Sequence, residues 1–253
     1  MPFRDTGETL ACSAVSKSFG GIEALSDVSV AFSQASITAI IGPNGAGKTT
    51  LLNVFGGFVR PDAGACHLGK VELTGMAPHK IARAGIGRSF QDLRVVRGLS
   101  ALENVLLAQP DRKAHSLVVA AFNGSLAAHV EADRAMSVLR RVGLGEHSST
   151  PAGELSYGQQ KLLTIACCVA TEPRALLLDE PVSGVDRALI PQILNLIRSL
   201  GNDGMIVVFV EHDLAAVRAL AESVVVMSAG MIVARGVPSE LLARSEILET
   251  YLE

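Results

Sequence analysis

Short apolar runs alternate with longer segments of helical periodicity along most of the 253-residue chain. Runs that are apolar at nearly every position are typical of strands covered on both faces, whereas apolar positions three and four residues apart are typical of helices. The runs predict strands at Leu10–Val15, Val28–Phe32, Ile37–Ile41, Ala175–Leu178, Met205–Val210, Ser223–Met227 and Met231–Ala234. The periodic segments predict helices at Lys48–Phe55, Gly158–Ala170, Ala188–Leu200, Leu214–Ala221 and Ser239–Tyr251. Because strands and helices alternate, we expect an α/β fold.

The pattern changes between Gln91 and Leu155. Two helical segments, Leu99–Leu107 and His129–Val142, occur there with no clear strand between them, and the state of the short apolar run Leu117–Phe122 stays open. We therefore expect a helical subdomain inserted into the α/β core.

The borders of this insertion are marked by composition. Ser, Thr, Pro and Gly cluster near Asp92–Gly98 and Ser148–Gly153, as in linkers. We place the core at residues 1–91 and 158–253 and the helical subdomain at residues 92–157.

Composition and charge narrow the class of protein. Hydrophobic residues make up 49% of the chain and charged residues 19%, so a sizeable core is expected. With no Trp and two Tyr, that core must be mostly aliphatic. The formal charge of −3 lacks the basic footprint of a general nucleic-acid-binding protein, so no nucleic-acid partner is expected.

Targeting and membrane-spanning patterns are not found in the sequence. The first ten residues include Arg4, Asp5 and Glu8 and form no apolar run suited to a signal peptide. The apolar runs are strand-length, well short of the about 20 residues that cross a bilayer. The four cysteines have no CxxC spacing, and the adjacent Cys167 and Cys168 fit reduced, buried helix positions, which favours a cytosolic location.

The most specific short motif follows the strand at Ile37–Ile41. It is Gly42, Pro43, Asn44, Gly45, Ala46, Gly47, Lys48, Thr49 and Thr50. Strand, glycine-rich loop, Lys-Thr and helix form the P-loop pattern. Glycines let backbone N–H groups approach phosphate, the helix adds its positive end, Lys48 reaches the β- and γ-phosphates, and Thr49 binds Mg²⁺. The alternative is an ordinary glycine-rich turn, and the motif alone indicates only a nucleotide.

Two carboxylates end another apolar strand, at Leu176–Leu178. Asp179 is placed to hold Mg²⁺ through water, and Glu180 to orient or deprotonate the attacking water. An acidic turn before Pro181 is the alternative, and the motif upstream makes it less favoured.

A histidine follows the next apolar strand in the same way. His212 stands just after Met205–Val210, where its side chain could hydrogen-bond a γ-phosphate oxygen. A helix cap or a surface position is the alternative. In open α/β sheets ligands bind at the carboxyl ends of the strands, which favours a site role for His212.

The segment Leu155–Gln160 predicts a helix start. Ser156 as N-cap and Gln159 at the third helical position fit a capping box. The Ser156 hydroxyl and the Gly158 amide would also form an anion site at a helix N-terminus.

With these motifs in this order, nearly the whole chain resembles the ATPase subunits of ABC transporters. In that family the signature is LSGGQ or LSYGQ, which matches Leu155–Gln159. The other family elements match Walker A at Gly42–Thr50, the Q-loop at Gln91, Walker B at Leu176–Asp179, then Glu180, the D-loop at Ser183–Asp186 and the switch His212.

The resemblance implies a P-loop ATPase core with a mixed sheet, an N-terminal antiparallel β portion and an inserted helical subdomain. It also implies a head-to-tail dimer, in which ATP on one P-loop is closed over by Ser156, Gly158 and Gln159 of a second ATPase subunit, either the same chain or a paralogue. Gln91 would contact Mg²⁺ or water and link the core to the subdomain that faces the membrane permease subunits. Phe19 matches the position that stacks on adenine, although a lone Phe after a strand is commonly part of a core.

Shorter stretches resemble the ATPases of branched-chain amino-acid importers. These are Phe19–Leu25, Ala82–Gln91, Ala101–Val105, Tyr157 and Glu249–Glu253. The resemblance implies ATP-driven uptake through separate permeases, at the cytoplasmic face of the inner membrane, with a periplasmic solute-binding protein acting indirectly. Two departures are Cys167, where Arg is usual, and Asp186, where Asn is frequent.

Three alternatives stay open at this point. Urea and short-chain amide importers use similar ATPases. A soluble ABC ATPase acting on DNA or ribosomes would typically carry a coiled-coil insertion or two cassettes, and this sequence shows neither. A non-hydrolysing regulatory cassette would have lost catalytic positions that are filled here.

Overall fold

The computed structural model describes residues 8–109 and 126–243, which form two sheets with helices around them. The strands are β1 (Thr9–Phe19), β2 (Ile22–Ser33), β3 (Ser36–Ile41), β4 (Ala63–Leu68), β5 (Val71–Glu72), β6 (Ile86–Arg88), β7 (Ala175–Asp179), β8 (Ile206–Val210), β9 (Ser223–Ser228) and β10 (Met231–Gly236). The helices are α1 (Lys48–Phe55), α2 (Pro78–Arg83), α3 (Ala101–Ala108), α4 (Leu126–Arg141), α5 (Tyr157–Val169), α6 (Ile190–Asn202), α7 (Leu214–Leu220) and α8 (Pro238–Leu241).

The first sheet is antiparallel, with strand order β2-β1-β4-β5. Alternate residues of β1 and β2, among them Leu10, Leu25 and Phe32, are buried beneath it. Phe55 of α1 meets the Phe32 ring edge-on, with the ring centroids 6.0 Å apart. This sheet therefore covers the helix that follows the glycine-rich loop.

The second sheet has the order β10-β9-β3-β8-β7-β6. The pairs of β3 with β8 and β9, and of β7 with β6 and β8, are all parallel, while β10 is an antiparallel edge strand. Every residue of β7 and β8 is buried, as the continuous apolar runs predicted. The five parallel strands point the same way, so the loops that follow them leave the sheet at one edge.

Helices α3, α4 and α5 pack against one another and share one buried cluster with α6 and one face of the second sheet. Ser100 caps α3 in a capping box with Glu103. The buried Asn104 side chain accepts from Val96 N–H and donates to the Val96, Leu99 and Ser100 carbonyls, which anchors the loop before α3. The division of the chain at residues 92 and 157 stays a prediction.

Each predicted strand and the helices at Lys48, Gly158, Ala188 and Leu214 have counterparts in the structure. Three strands and a short helix were missed, β4, β5, β6 and α2. β5, β6 and α2 give too little periodicity to recognise, and β4 includes Gly64 and His67, so it is not a continuous apolar run. The helix expected at Ser239–Tyr251 is correct only over its first residues, since α8 covers Pro238–Leu241 and a turn follows. Its remainder and Leu117–Phe122 lie outside the described residues. Over the described ranges, no helix is both long and apolar enough to span a membrane.

A candidate nucleotide site at the strand ends

Four sequence-predicted elements meet at the carboxyl edge of the second sheet. The glycine-rich loop follows β3, Gln91 follows β6, Asp179 ends β7 and His212 follows β8. Adjacent parallel strands bring these ends together, as expected for ligand sites in open α/β sheets.

The glycine-rich loop is held by close backbone approaches. Gly47 has φ +95°, and a Cβ there would lie 2.4 Å from the Ala24 carbonyl oxygen. A Cβ on Gly42 would lie 2.0 Å from the Met227 carbonyl oxygen. Glycine is therefore required sterically at both positions. Helix α1 begins at Lys48 without a side-chain cap, so its first N–H groups point into the loop.

Lys48 is buried beside this loop. Its Nζ donates to the carbonyl oxygens of Gly42, at 2.6 Å, and Pro43, at 2.7 Å. Burial lowers the pKa of Lys48, while the carboxylates of Glu180 and Asp179 oppose that shift. The loop thus keeps an ammonium in place where a phosphate would need it.

Asp179 is buried at the end of β7, with its backbone N–H donating to Ser89 Oγ at 3.1 Å. Burial raises the pKa of Asp179, and the nearby Arg88 and a hydrogen bond with the Thr49 side chain oppose that shift. Thr49 and Asp179 therefore present adjacent hard oxygen donors.

This donor set fits Mg²⁺. The ion takes one or two protein oxygens and completes its shell with water and substrate phosphates. The described residues contain no cluster of three or more His, Cys, Asp or Glu side chains that could hold a metal ion.

Glu180 follows in an unusual conformation. It has φ +49°, which for a non-glycine residue costs on the order of 1–3 kcal/mol and is typical of functional sites. Its backbone N–H donates to the Val210 carbonyl at 3.0 Å, and its Oε1 lies 3.0 Å from His212 Nε2. The strained backbone aims the carboxylate toward the histidine and the loop.

The glycine-rich loop, Glu180 and His212 border one cavity of about 380 Å³. It is lined by Ala24, Asn44, Gly45, Ala46, Gly47, Lys48, Thr49, Thr50, Gln91, Glu180 and His212. A cavity of similar size, about 390 Å³, lies between α4 and the end of α5, but it has no phosphate loop. Chemistry rather than volume distinguishes the first cavity.

The signature residues lie elsewhere. Ser156 caps α5 in the predicted capping box, its hydroxyl accepting from Gln159 N–H at 3.3 Å. A Cβ on Gly158 would meet Leu189 Cδ2 at 2.4 Å, so this glycine also permits close packing within the chain. Ser156, Gly158 and Gln159 do not line the cavity, and neither does Phe19, which is 48% exposed with Lys17 Nζ 5.3 Å from its ring centroid.

Four residues around the Asp179 and Glu180 carboxylates were not predicted from the sequence. Arg88 Nη2 lies 3.7 Å from Asp179 Oδ2, and Ser89 Oγ accepts a hydrogen bond from the backbone N–H of Asp179. Glu211 accepts from Val182 N–H at 2.8 Å, and Lys161 donates to the Glu180 carbonyl. A signal existed, since Lys161 interrupts an apolar helix and Glu211 adjoins a buried strand.

Comparison with known proteins places these features in one family. Residues 25–183 match the family described as ABC transporter. The branched-chain amino acid transport ATP-binding protein LivG of Salmonella typhimurium is 36% identical over 251 residues, covering 96% of this chain and 97% of that protein. BraF of Pseudomonas aeruginosa, of the same description, is 34% identical over 247 residues, covering 96% and 97%.

Solved structures agree with the fold. The ADP conformation of MJ1267, an ATP-binding cassette of an ABC transporter, has a TM-score of 0.85 at 31% identity and covers 98% of this chain and 99% of its own. A dimeric post-hydrolysis state of the cassette MJ0796, bound to ADP and Pi, has a TM-score of 0.77 at 26% identity, covering 90% and 98%. The α/β fold with its antiparallel portion is thereby confirmed.

Proposed function

The chain belongs to the ABC transporter family of ATP-binding subunits, and from this premise we propose that its ATP hydrolysis drives uptake of branched-chain amino acids or a related small polar solute. The observation that carries the proposal is the placement of Glu180, beside Asp179 and 3.0 Å from His212, at the border of the phosphate-loop cavity.

The phosphate chain of ATP is held by the glycine-rich loop. Residues 44–50 surround it with backbone N–H groups, and Lys48 turns from the loop carbonyls to the β- and γ-phosphates. Thr49, Asp179 and Gln91 would hold Mg²⁺, which would neutralise charge that develops on the phosphate oxygens.

Hydrolysis needs an oriented water. Glu180 accepts a hydrogen bond from the attacking water in line with the γ-phosphate, and His212 donates to a γ-phosphate oxygen. Their mutual contact of 3.0 Å keeps the two side chains at the cavity border until nucleotide separates them.

A complete site needs a second ATPase subunit. Ser156 is exposed at the start of α5, away from its own chain's cavity, so it is free to meet another chain's nucleotide. Ser156, Gly158 and Gln159 of one subunit close over the γ-phosphate on the other, while Phe19 stacks on adenine. Support comes from the dimeric state of the related cassette MJ0796.

The remaining partners follow from the relatives' descriptions. The helical subdomain, residues 92–157, faces transmembrane permease subunits at the cytoplasmic face of the membrane, and a periplasmic solute-binding protein delivers the solute. The LivG and BraF descriptions favour branched-chain amino acids over urea or amides.

The Glu180→Gln variant tests the hydrolytic role. Gln keeps the shape and loses the acceptor charge, so ATP binding should persist while turnover falls by about 10² or more. Nucleotide binding and phosphate release are measured on the same preparation, with the wild-type chain as reference. Turnover equal to that of the wild type would exclude Glu180 from this role.

The transport role has its own test. The chain is purified with its permease subunits and reconstituted in vesicles with the solute-binding protein and candidate solutes. Leucine-dependent ATP hydrolysis and uptake are expected. Hydrolysis that responds to DNA or ribosomes, and not to permease and solute, would instead favour a non-transport ABC ATPase.

A further inference from the structure

One buried ammonium group, on the signature helix α5, contacts the two segments that carry Gln91 and Glu180. Lys161 lies in α5, and only 5% of its surface is exposed. Its Nζ donates to the Glu180 carbonyl oxygen at 3.0 Å and, at a longer 3.4 Å, to the Gln91 carbonyl oxygen. Lys161 therefore connects the end of β7 and the segment after β6 to the helix that starts at Ser156.

The surroundings of Lys161 indicate more than packing. A buried charge is costly unless it is paired, and a Leu or Met could fill the same volume. Burial lowers the pKa of Lys161, and the carboxylates of Glu211, Glu180, Asp179 and Asp92 oppose that shift. An ammonium with three donors can hold two carbonyls at once and still balance these carboxylates, which an apolar side chain cannot do.

Ser156, which caps α5, and Lys161 within that helix serve different composite sites. In the proposed dimer, Ser156 at the helix start acts on the partner's ATP. Lys161, little more than one helical turn later, acts on Gln91 and Glu180 of its own chain. When the partner's ATP displaces the start of α5, Lys161 therefore transmits that displacement to Gln91 and Glu180, which act on the ATP bound to their own chain.

We propose that Lys161 is a positioning residue that couples the two composite ATP sites, by fixing the Gln91 and Glu180 backbone of its own chain to the signature helix. The inference rests on the proposed function, because it requires a dimer with Ser156 acting between chains. It adds a link within each chain, from the signature helix to the hydrolytic carboxylate.

The first test replaces the ammonium by a side chain of similar length. Lys161→Met leaves the phosphate loop intact, so ATP affinity should stay within about twofold, while kcat per bound nucleotide falls about tenfold or more through the loss of charged hydrogen bonds. Thr164→Val is the matched control, since Thr164 lies on the same helix, is buried, and bonds only the Gln160 carbonyl of that helix at 2.9 Å. Its kcat should match the wild type.

Two outcomes of this test overturn the proposal. One is a Lys161→Met protein with wild-type kcat, whatever its melting temperature. The other is an equal loss of kcat in Thr164→Val, which would assign the effect to general disturbance of α5. Counting bound nucleotide per chain removes any unfolded fraction from the comparison.

Mixed dimers, purified through two different tags, distinguish two effects of Lys161→Met. One is an effect on Glu180 of the same chain, and the other is an effect on the signature residues that act on the partner's ATP. In one dimer a Lys161→Met chain pairs with a Glu180→Gln chain, so the working Glu180 is on the chain that lacks Lys161. In the other a wild-type chain pairs with a chain that carries both substitutions, so the working Glu180 keeps its own Lys161. Turnover is compared with that of a wild-type and Glu180→Gln pair.

The loss should be confined to the first dimer. Equal losses in both, or a loss only in the second, would contradict a contact made within one chain. These outcomes are distinct from failure of the proposed function, which would appear as wild-type turnover in the Glu180→Gln homodimer.

Discussion

At Gly47 the backbone takes a left-handed conformation and passes so close to Ala24 that a methyl group has no room. Both features are needed for the loop to turn its N–H groups inward, since a residue with a Cβ would push the loop away from β2. The phosphate site therefore requires a residue without a Cβ at Gly47, in addition to the side chains of Lys48 and Thr49.

A comparison of two glycines tests this reasoning. Gly21 has a similar φ of +85°, but nothing lies within 4 Å of its added Cβ. Gly21→Ala should cost about 1 kcal/mol of unfolding free energy and leave ATP binding unchanged. Gly47→Ala should cost about 3 kcal/mol or more, because the clash adds to the strain, and should weaken ATP binding. Urea unfolding and nucleotide titration measure both, and equal losses would contradict the steric account.

At the scale of elements, the long patterns were predictable and the short ones were not. Continuous apolar runs predicted β7 and β8 because strands covered on both faces have no polar alternation. By contrast, β6 has three residues, and only its pairing with β7 makes it a strand. The sequence motifs likewise predicted Asp179 and Glu180. They could not show that Lys161 and Arg88 would be buried around them, because burial of a charge is decided by tertiary packing.

Two helix starts allow structural and functional capping to be separated. Ser100 caps α3 and Ser156 caps α5, each in a capping box. Ser100→Ala and Ser156→Ala should each lower the unfolding free energy by about 1 kcal/mol, through loss of the cap. Only Ser156→Ala should also reduce ATP turnover, because in the proposed dimer its hydroxyl contacts the partner's nucleotide. Similar turnover in the two variants would mean that Ser156 is only a cap.

At the scale of the whole molecule, the proposed dimer requires each chain to carry two separate halves of an ATP site. The phosphate loop, Glu180 and His212 line one cavity, while Ser156 lies exposed at the start of another helix. The parallel sheet explains the first grouping, since its strands end at one edge. A second subunit explains the other, and Lys161 connects the two halves within each chain.

The most direct measurement of this account is the ATP turnover of a mixed dimer. One chain carries Lys48→Ala, which disables its phosphate loop, and the other carries Ser156→Arg, which places a bulky side chain on the exposed helix start. Ser156 is preferred to Gly158 here because a Cβ on Gly158 would disturb Leu189 of its own chain. Each homodimer should be nearly inactive, whereas the mixed dimer, with one intact composite site, should regain turnover. A mixed dimer no more active than the homodimers would contradict a site shared between chains.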